Sequence, residues 1–183
     1  NYLINERGIA DKKFNSDVNA IRENDWVLFD TNPDYIVIQP AHIITKINIK
    51  DLVDYHVKSG ADITMAYTSI KNGNEAFLSS TVLKFKDGRI VSSVPNKGSK
   101  KNIDVSLRTY VFSRDVFDKI IHHRDYRNAL SLRMLISHLI NEKKLNIVGY
   151  KYEGYARCFD SLKHFMEYSF ELLDIDLASS LFA

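Results

Sequence analysis

Tyr35-Ile36-Val37-Ile38-Gln39-Pro40-Ala41-His42 decides how this chain is read. The short continuous apolar run at its start suits a strand buried on both faces. A short polar turn follows, and beyond it an amphipathic helix is predicted over 49–59, with Gly60 stopping it at the C′ position. The next strand is predicted over 62–68. A strand, a polar turn, a helix and a second strand form the unit of an α/β domain. Ligands of such sheets bind beyond the carboxyl ends of the strands, which is where Gln39-Pro40-Ala41-His42 falls.

The same alternation continues on either side. A helix is predicted over 17–29, after a Ser/Asp start, with Val18, Ile21, Trp26 and Phe29 as its apolar positions. The runs 81–86 and 89–91 flank Asp87-Gly88, a strong hairpin signal. Alternation predicts a strand over 105–112. Helices follow over 114–123 and 130–143, the second carrying Leu132, Leu135, Ile136, Leu139 and Ile140. A strand is predicted over 146–152. Gly154-Tyr155-Ala156-Arg157-Cys158-Phe159-Asp160-Ser161 reads as a further strand, ending where Asp160 or Ser161 caps a final helix that runs to Leu173. There is no internal repeat, and the loop 95–102 is the one basic, polar stretch. The expected fold is α/β: a mixed, mostly parallel sheet with helices on both faces. Val94-Pro95 and Arg157-Cys158 join the 39–42 turn at or near strand ends.

Composition narrows the function. At 183 residues and 45% hydrophobic content, the chain can bury a real core as one domain. A net charge of +2 gives no electrostatic footprint for nucleic acid. A single cysteine excludes an internal disulfide framework and fits a reducing cytosol, so a cytoplasmic location is expected. No membrane span and no signal peptide is read. The first residue is Asn rather than Met, which fits an excised piece of a longer chain.

Both quoted stretches resemble motifs of the sugar-nucleotide pyrophosphorylases, in particular the ADP-glucose pyrophosphorylase (glucose-1-phosphate adenylyltransferase) family. The family's first motif is S/A-G-D-H and its second G-Y-W-R-D-V-G-T; the Asp of each helps to hold Mg²⁺. The matching positions here are Ala41 and Cys158. A methyl group cannot ligate a hard cation, and a thiol is a poor substitute for oxygen. The family's Glu-Lys-Pro turn, which contacts the sugar phosphate, matches Ser93-Val94-Pro95, so both contacts are lost. Its A-S-M-G-I-Y-x-F strand matches Val105-Ser106-Leu107-Arg108-Thr109-Tyr110-Val111-Phe112. Ser106 retains the sugar-touching serine, whereas Arg108 replaces glycine and would project towards the substrate space. The family's G-T-A-D-A-V segment aligns loosely with Ser16-Asp17-Val18-Asn19-Ala20-Ile21. The resemblance implies a partial nucleotidyltransferase (Rossmann-like) domain over 1–183 that lacks its first βα unit. The phosphate-cradling Gly-rich loop would precede residue 1, and a β-helix would follow residue 183.

Each residue singled out also has a plainer role. His42 reads as a structural hydrogen bonder and Cys158 as a small packed residue. Asp160 reads as a helix N-cap. His122 and His123 are adjacent, diverge by about 100° on a helix and cannot chelate together, so they read as solvated. Lys97, Lys100 and Lys101, with Arg108, are candidates for an anionic effector, against the alternative of a solvated loop.

The resemblance as a whole implies a catalytically silent regulatory subunit in glycogen biosynthesis. It would pair with a catalytic pyrophosphorylase in a hetero-oligomer and respond to a sugar-phosphate effector. No cofactor is expected in this chain, Mg²⁺ belonging to active family members. One alternative is an active nucleotidyltransferase with Asp160 or Asp104 as displaced ligands. The other is a stand-alone sugar-phosphate binding module.

Overall fold

The run at 35–38 forms β1 (Tyr35–Ile38), at one edge of a six-stranded sheet. The computed structural model describes residues 16–126, 129 and 131–182. The elements ahead of β1 are α1 (Asp17–Glu23) and α2 (Trp26–Thr31). After it come β2 (Ile43–Thr45), α3 (Ile49–Ser59), β3 (Ile63–Ile70), β4 (Thr81–Lys86), β5 (Arg89–Pro95) and β6 (Ile103–Ser113). The chain continues through α4 (Arg114–Ile121), a 3-10 turn, α5 (Leu132–Glu142), β7 (Ile147–Lys151), β8 (Ala156–Cys158), α6 (Leu162–Glu171) and α7 (Ile175–Phe182).

The large sheet has the order β1-β6-β3-β7-β5-β4, and β2 pairs with β8 in a small second sheet. The sheet is mixed, as the sequence predicts. β3 and β7 are parallel, and β1 shares their direction because both β1 and β3 pair antiparallel with β6. Parallel return requires a crossover, usually helical. α3 supplies one ahead of β3, and α4 and α5 supply one ahead of β7. No helix intervenes between β3 and β6, and β6 accordingly comes back antiparallel. The β4–β5 hairpin turns at Asp87-Gly88, with φ of 50° and 77°. Positive φ at both central residues is the type I′ requirement, and Asp-Gly meets it at little steric cost.

Period-two alternation divides β6 between two cores. Val105, Leu107 and Val111 face one side, where Leu52 of α3, Phe77, Ile43 and Cys158 pack. Tyr110 and Phe112 face the other, with Val18 of α1, Phe117 and Ile121 of α4, and Leu135 and Leu139 of α5. Helices therefore cover both faces of the sheet.

Three expectations change in detail. The helix predicted over 17–29 breaks at Asn24-Asp25, where the Asn24 side-chain amide donates back to the Ala20 carbonyl at 2.8 Å at the C-cap of α1. The chain does not pass from the 39–42 turn straight to a helix, because β2 intervenes and pairs Ile43 with Cys158. Ser161 rather than Asp160 is the N-cap of α6, its hydroxyl accepting the His164 amide at 3.1 Å. The predicted helices 114–123 and 130–143 are α4 and α5, with residue 130 outside the described set, as are residues 1–15 of the expected 1–183 domain.

Candidate functional site

The carboxyl end of β1 opens into a cleft of about 300 Å³. Gln39, Pro40 and His42 enter it from the β1–β2 turn, and Arg108 and Tyr110 enter from β6. Asp17, Ala20 and Ile21 of α1, with Leu132 and Arg133 of α5, close the far wall. The location is the one the strand-end rule predicts.

Arg108 dominates the cleft. Its φ is +54°, in the left-handed region that L-residues with a Cβ avoid. The register of β6 against β3 shifts across the same stretch, between Met65 and Tyr67 on β3. Such irregularities re-aim a side chain. The Ser106 hydroxyl accepts the Arg108 amide at 3.0 Å, and the Arg108 guanidinium donates to His42 Nε2 at 3.1 Å. Burial, and secondarily the Arg108 charge, lower the pKa of His42, against a smaller opposing effect of Asp160. A neutral imidazole accepting at Nε2 satisfies both observations. Burial likewise pushes the Tyr110 phenol up to about 12, leaving it protonated beside the arginines.

Ala41 and Cys158 occupy different environments. Ala41 is exposed on the turn, whereas Cys158 is fully buried among Ile43, Leu52 and their neighbours. Burial pushes the Cys158 thiol up to about 11, and its Sγ lies 3.3 Å from the Ser79 hydroxyl. A methyl and a buried, protonated thiol do not fit the oxygen-rich coordination that Mg²⁺ demands. Among the described residues, no group of three or more His, Cys, Asp and Glu side chains is placed to hold a metal ion.

The remaining sequence candidates do not converge on the cleft. Ser106 is fully buried, and its hydroxyl accepts the Arg108 backbone amide. Ser93 is buried and reaches Ser137 of α5 at 3.1 Å, while Val94 is exposed beyond it. Neither lines the cleft. Lys97, Lys100 and Lys101 are exposed on the β5–β6 loop and do not line it either. β6 carries Arg108 into the cleft and leaves the lysines outside it. Asp104 accepts the Ser69 hydroxyl at 2.6 Å, four positions before Arg108 on β6, or about 13 Å along an extended strand. The Asp160 side chain is buried and bound to His164 Nδ1 at 2.6 Å, with the Ser79 amide 3.4 Å from its other oxygen. Neither carboxylate is placed as a substitute ligand. His122 and His123 are exposed and face separate carboxylates, those of Asp25 and Asp125.

Sequence reading missed Arg133 and Tyr110 as cleft residues. Their convergence depends on α5 packing across the sheet, which no local spacing encodes. Asp17 had only the loose 16–21 match. Its Oδ1 accepts both the Val18 and Leu132 amides at 2.8 Å, pinning the start of α5 to α1.

Comparison with known proteins places this geometry in a family. Glucose-1-phosphate adenylyltransferase of Lachnospira eligens is 29% identical over 158 residues, covering 86% of this chain and 37% of that protein. The enzyme of the same name from Clostridium acetobutylicum is 26% identical, covering 85% of this chain and 41% of its own length. That of Geobacillus stearothermophilus is 25% identical, covering 89% and 42%. This chain thus spans about two-fifths of the length of these relatives. No helix among the described residues is long and apolar enough to cross a membrane. Residues 4–153 match the Nucleotidyl transferase family, and over that span, on a mixed sheet with helices on both faces, the chain belongs to that family.

Proposed function

We propose that this chain is a catalytically silent, regulatory member of the glucose-1-phosphate adenylyltransferase group. It acts in the cytoplasm, in glycogen biosynthesis, in a hetero-oligomer with a catalytic subunit and under control of a sugar-phosphate effector. The observation that carries the reading is the pair Ala41 and Cys158 at the two positions that resemble the family's metal-holding aspartates. Burial and protonation of Cys158 support it further. Phosphoryl transfer in such enzymes depends on a cation clamping the developing charge, and neither position supplies an oxygen ligand. An inert site can still bias a neighbour's conformational equilibrium through a shared interface.

The test has two arms. Purified protein with ATP, glucose 1-phosphate and Mg²⁺ is expected to form no ADP-glucose. Turnover that tracks with the protein through a sizing column would favour an active nucleotidyltransferase instead. Adding the protein to a catalytic adenylyltransferase subunit while titrating sugar phosphates is expected to change rate, KM or effector response. Unchanged kinetics in the mixture would remove the regulatory role. Restoring carboxylates with Ala41→Asp and Cys158→Asp is not expected to create activity. The residue 158 side chain lies in the core, and Val94 and Arg108 still alter the sugar-phosphate side.

A further inference from the structure

α6 carries more apolar surface than the fold uses. Its inner side buries His164 and Tyr168, and Arg157 of β8 ties the helix in place through Glu171. A second stripe runs along the outer side: Leu162, Phe165, Met166 and Phe170, with Leu173 in the turn that follows. At 100° per residue these positions share an arc of about 140° that leaves out both His164 and Tyr168. Together with Ile175 at the start of α7, the stripe residues are 52–79% exposed. Single exposed apolar residues are ordinary, but a contiguous group marks an interaction surface. At roughly 150–250 Å² for a large side chain, the six present on the order of 700 Å². A stable interface removes about 800 Å² from each partner, so this stripe nearly fills one by itself.

The spacing of the stripe points to what covers it. Positions 162, 165, 166, 169, 170 and 173 are separated by 3, 1, 3, 1 and 3 residues, a pattern that reads the same in both directions. We propose that α6 forms the interface of a two-fold dimer of this chain, the two helices lying antiparallel. That arrangement sets Leu162 against Leu173 and Phe165 against Phe170, while the small Ser169 leaves room for the longer Met166. Closed two-fold association requires one patch that complements itself, and a palindromic stripe meets the requirement. Lys163 borders the stripe and is brought towards Asp174 of the second copy, an opposite charge. Glu167, Glu171, Asp174 and Asp176 otherwise make this end of the chain acidic, which disfavours an anionic bilayer as the covering surface. The dimer stands on the stripe alone and does not depend on the regulatory reading above.

The experiment is sedimentation equilibrium of the whole chain over a concentration series, joined to disulfide trapping. A monomer–dimer equilibrium is expected. Phe165→Glu and Phe170→Glu are each expected to weaken it about a hundredfold or more, because two-fold symmetry counts each change twice. Met134→Glu, which alters a comparably exposed methionine on α5, is expected to leave it unchanged. Trapping reads the direction of the helices. Leu162→Cys mixed with Leu173→Cys is expected to give a cross-linked dimer, whereas either variant alone is not, since like positions lie about 16 Å apart in the antiparallel pair. Cys158 is buried and stays out of reach of these thiols. A chain that remains monomeric, a dimer indifferent to both phenylalanine changes, or cross-links within Leu162→Cys alone would each overturn the proposal. So would binding of the monomer to phosphatidylserine vesicles that Phe165→Glu abolishes, which would assign the stripe to a membrane surface. All of these are read on this chain without a catalytic subunit, so they separate from a failure of the regulatory role.

Discussion

Arg108 is a residue whose backbone and side chain make opposing demands. A left-handed conformation costs an L-residue roughly 1–2 kcal/mol through the clash of Cβ with the carbonyl. The family pattern resembled by this strand has glycine at the same position, where no such clash arises. The arginine tolerates the conformation because its amide is held by the Ser106 hydroxyl and its guanidinium by His42. Comparing Arg108→Ala with Arg108→Gly isolates the backbone effect, since both delete the guanidinium. The glycine variant is expected to be the more stable of the two by about 1 kcal/mol, read as a higher urea midpoint at equal slope. Equal midpoints would show that β6 relaxes at 108 once the side chain is gone. The sequence alone identified Arg108 as a departure, but it could not show the positive φ, which depends on the register shift between β3 and β6.

At the scale of elements, legibility followed length and local signals. α3 is found at the predicted 49–59, because an Asn48 cap, an apolar stripe and Gly60 all act within one segment. The hairpin was equally readable, since Asp87-Gly88 fixes its own turn. β2 escaped because three residues are too few to show a period, and its pairing partner β8 lies more than a hundred residues away. The role of Asp160 was misread for a related reason. Local chemistry allows either Asp160 or Ser161 to cap α6, and tertiary packing decides between them. With Ser161 as cap, Asp160 turns inward to His164, whose ring stacks on Tyr168 at 5.2 Å. Arg157 adds a second tie, meeting Glu171 at 2.9 Å and lying over the Tyr168 ring. Asp160→Ala is therefore expected to destabilise the protein by about 2–3 kcal/mol, because it strands a buried His164 nitrogen. Ser161→Ala, which removes only the cap, is expected to cost about 1 kcal/mol. A chemical denaturation series that ranked the two in the opposite order would return the capping role to Asp160.

The whole molecule couples these local features to pH through two histidines, one in the turn after β1 and one in α3. His42 faces Arg108 and Asp160, and its pKa is lowered chiefly by burial and then by the Arg108 charge. His56 of α3 is bonded to the Thr64 hydroxyl at 2.8 Å, meets the edge of the Tyr35 ring, and is lowered chiefly by burial against a smaller effect of Asp62. An unfolded histidine takes up its proton near pH 6.5. Between that value and the lower native ones, the unfolded chain binds more protons than the folded chain, so stability rises with pH across the window. The contribution is complete above about pH 6.5, is lost as pH falls towards the native pKa values, and changes no further below them. The urea midpoint is expected to drop between about pH 7.5 and about pH 5.5, before most carboxylates titrate. His42→Gln and His56→Gln are each expected to flatten that drop, and the double variant to flatten it most.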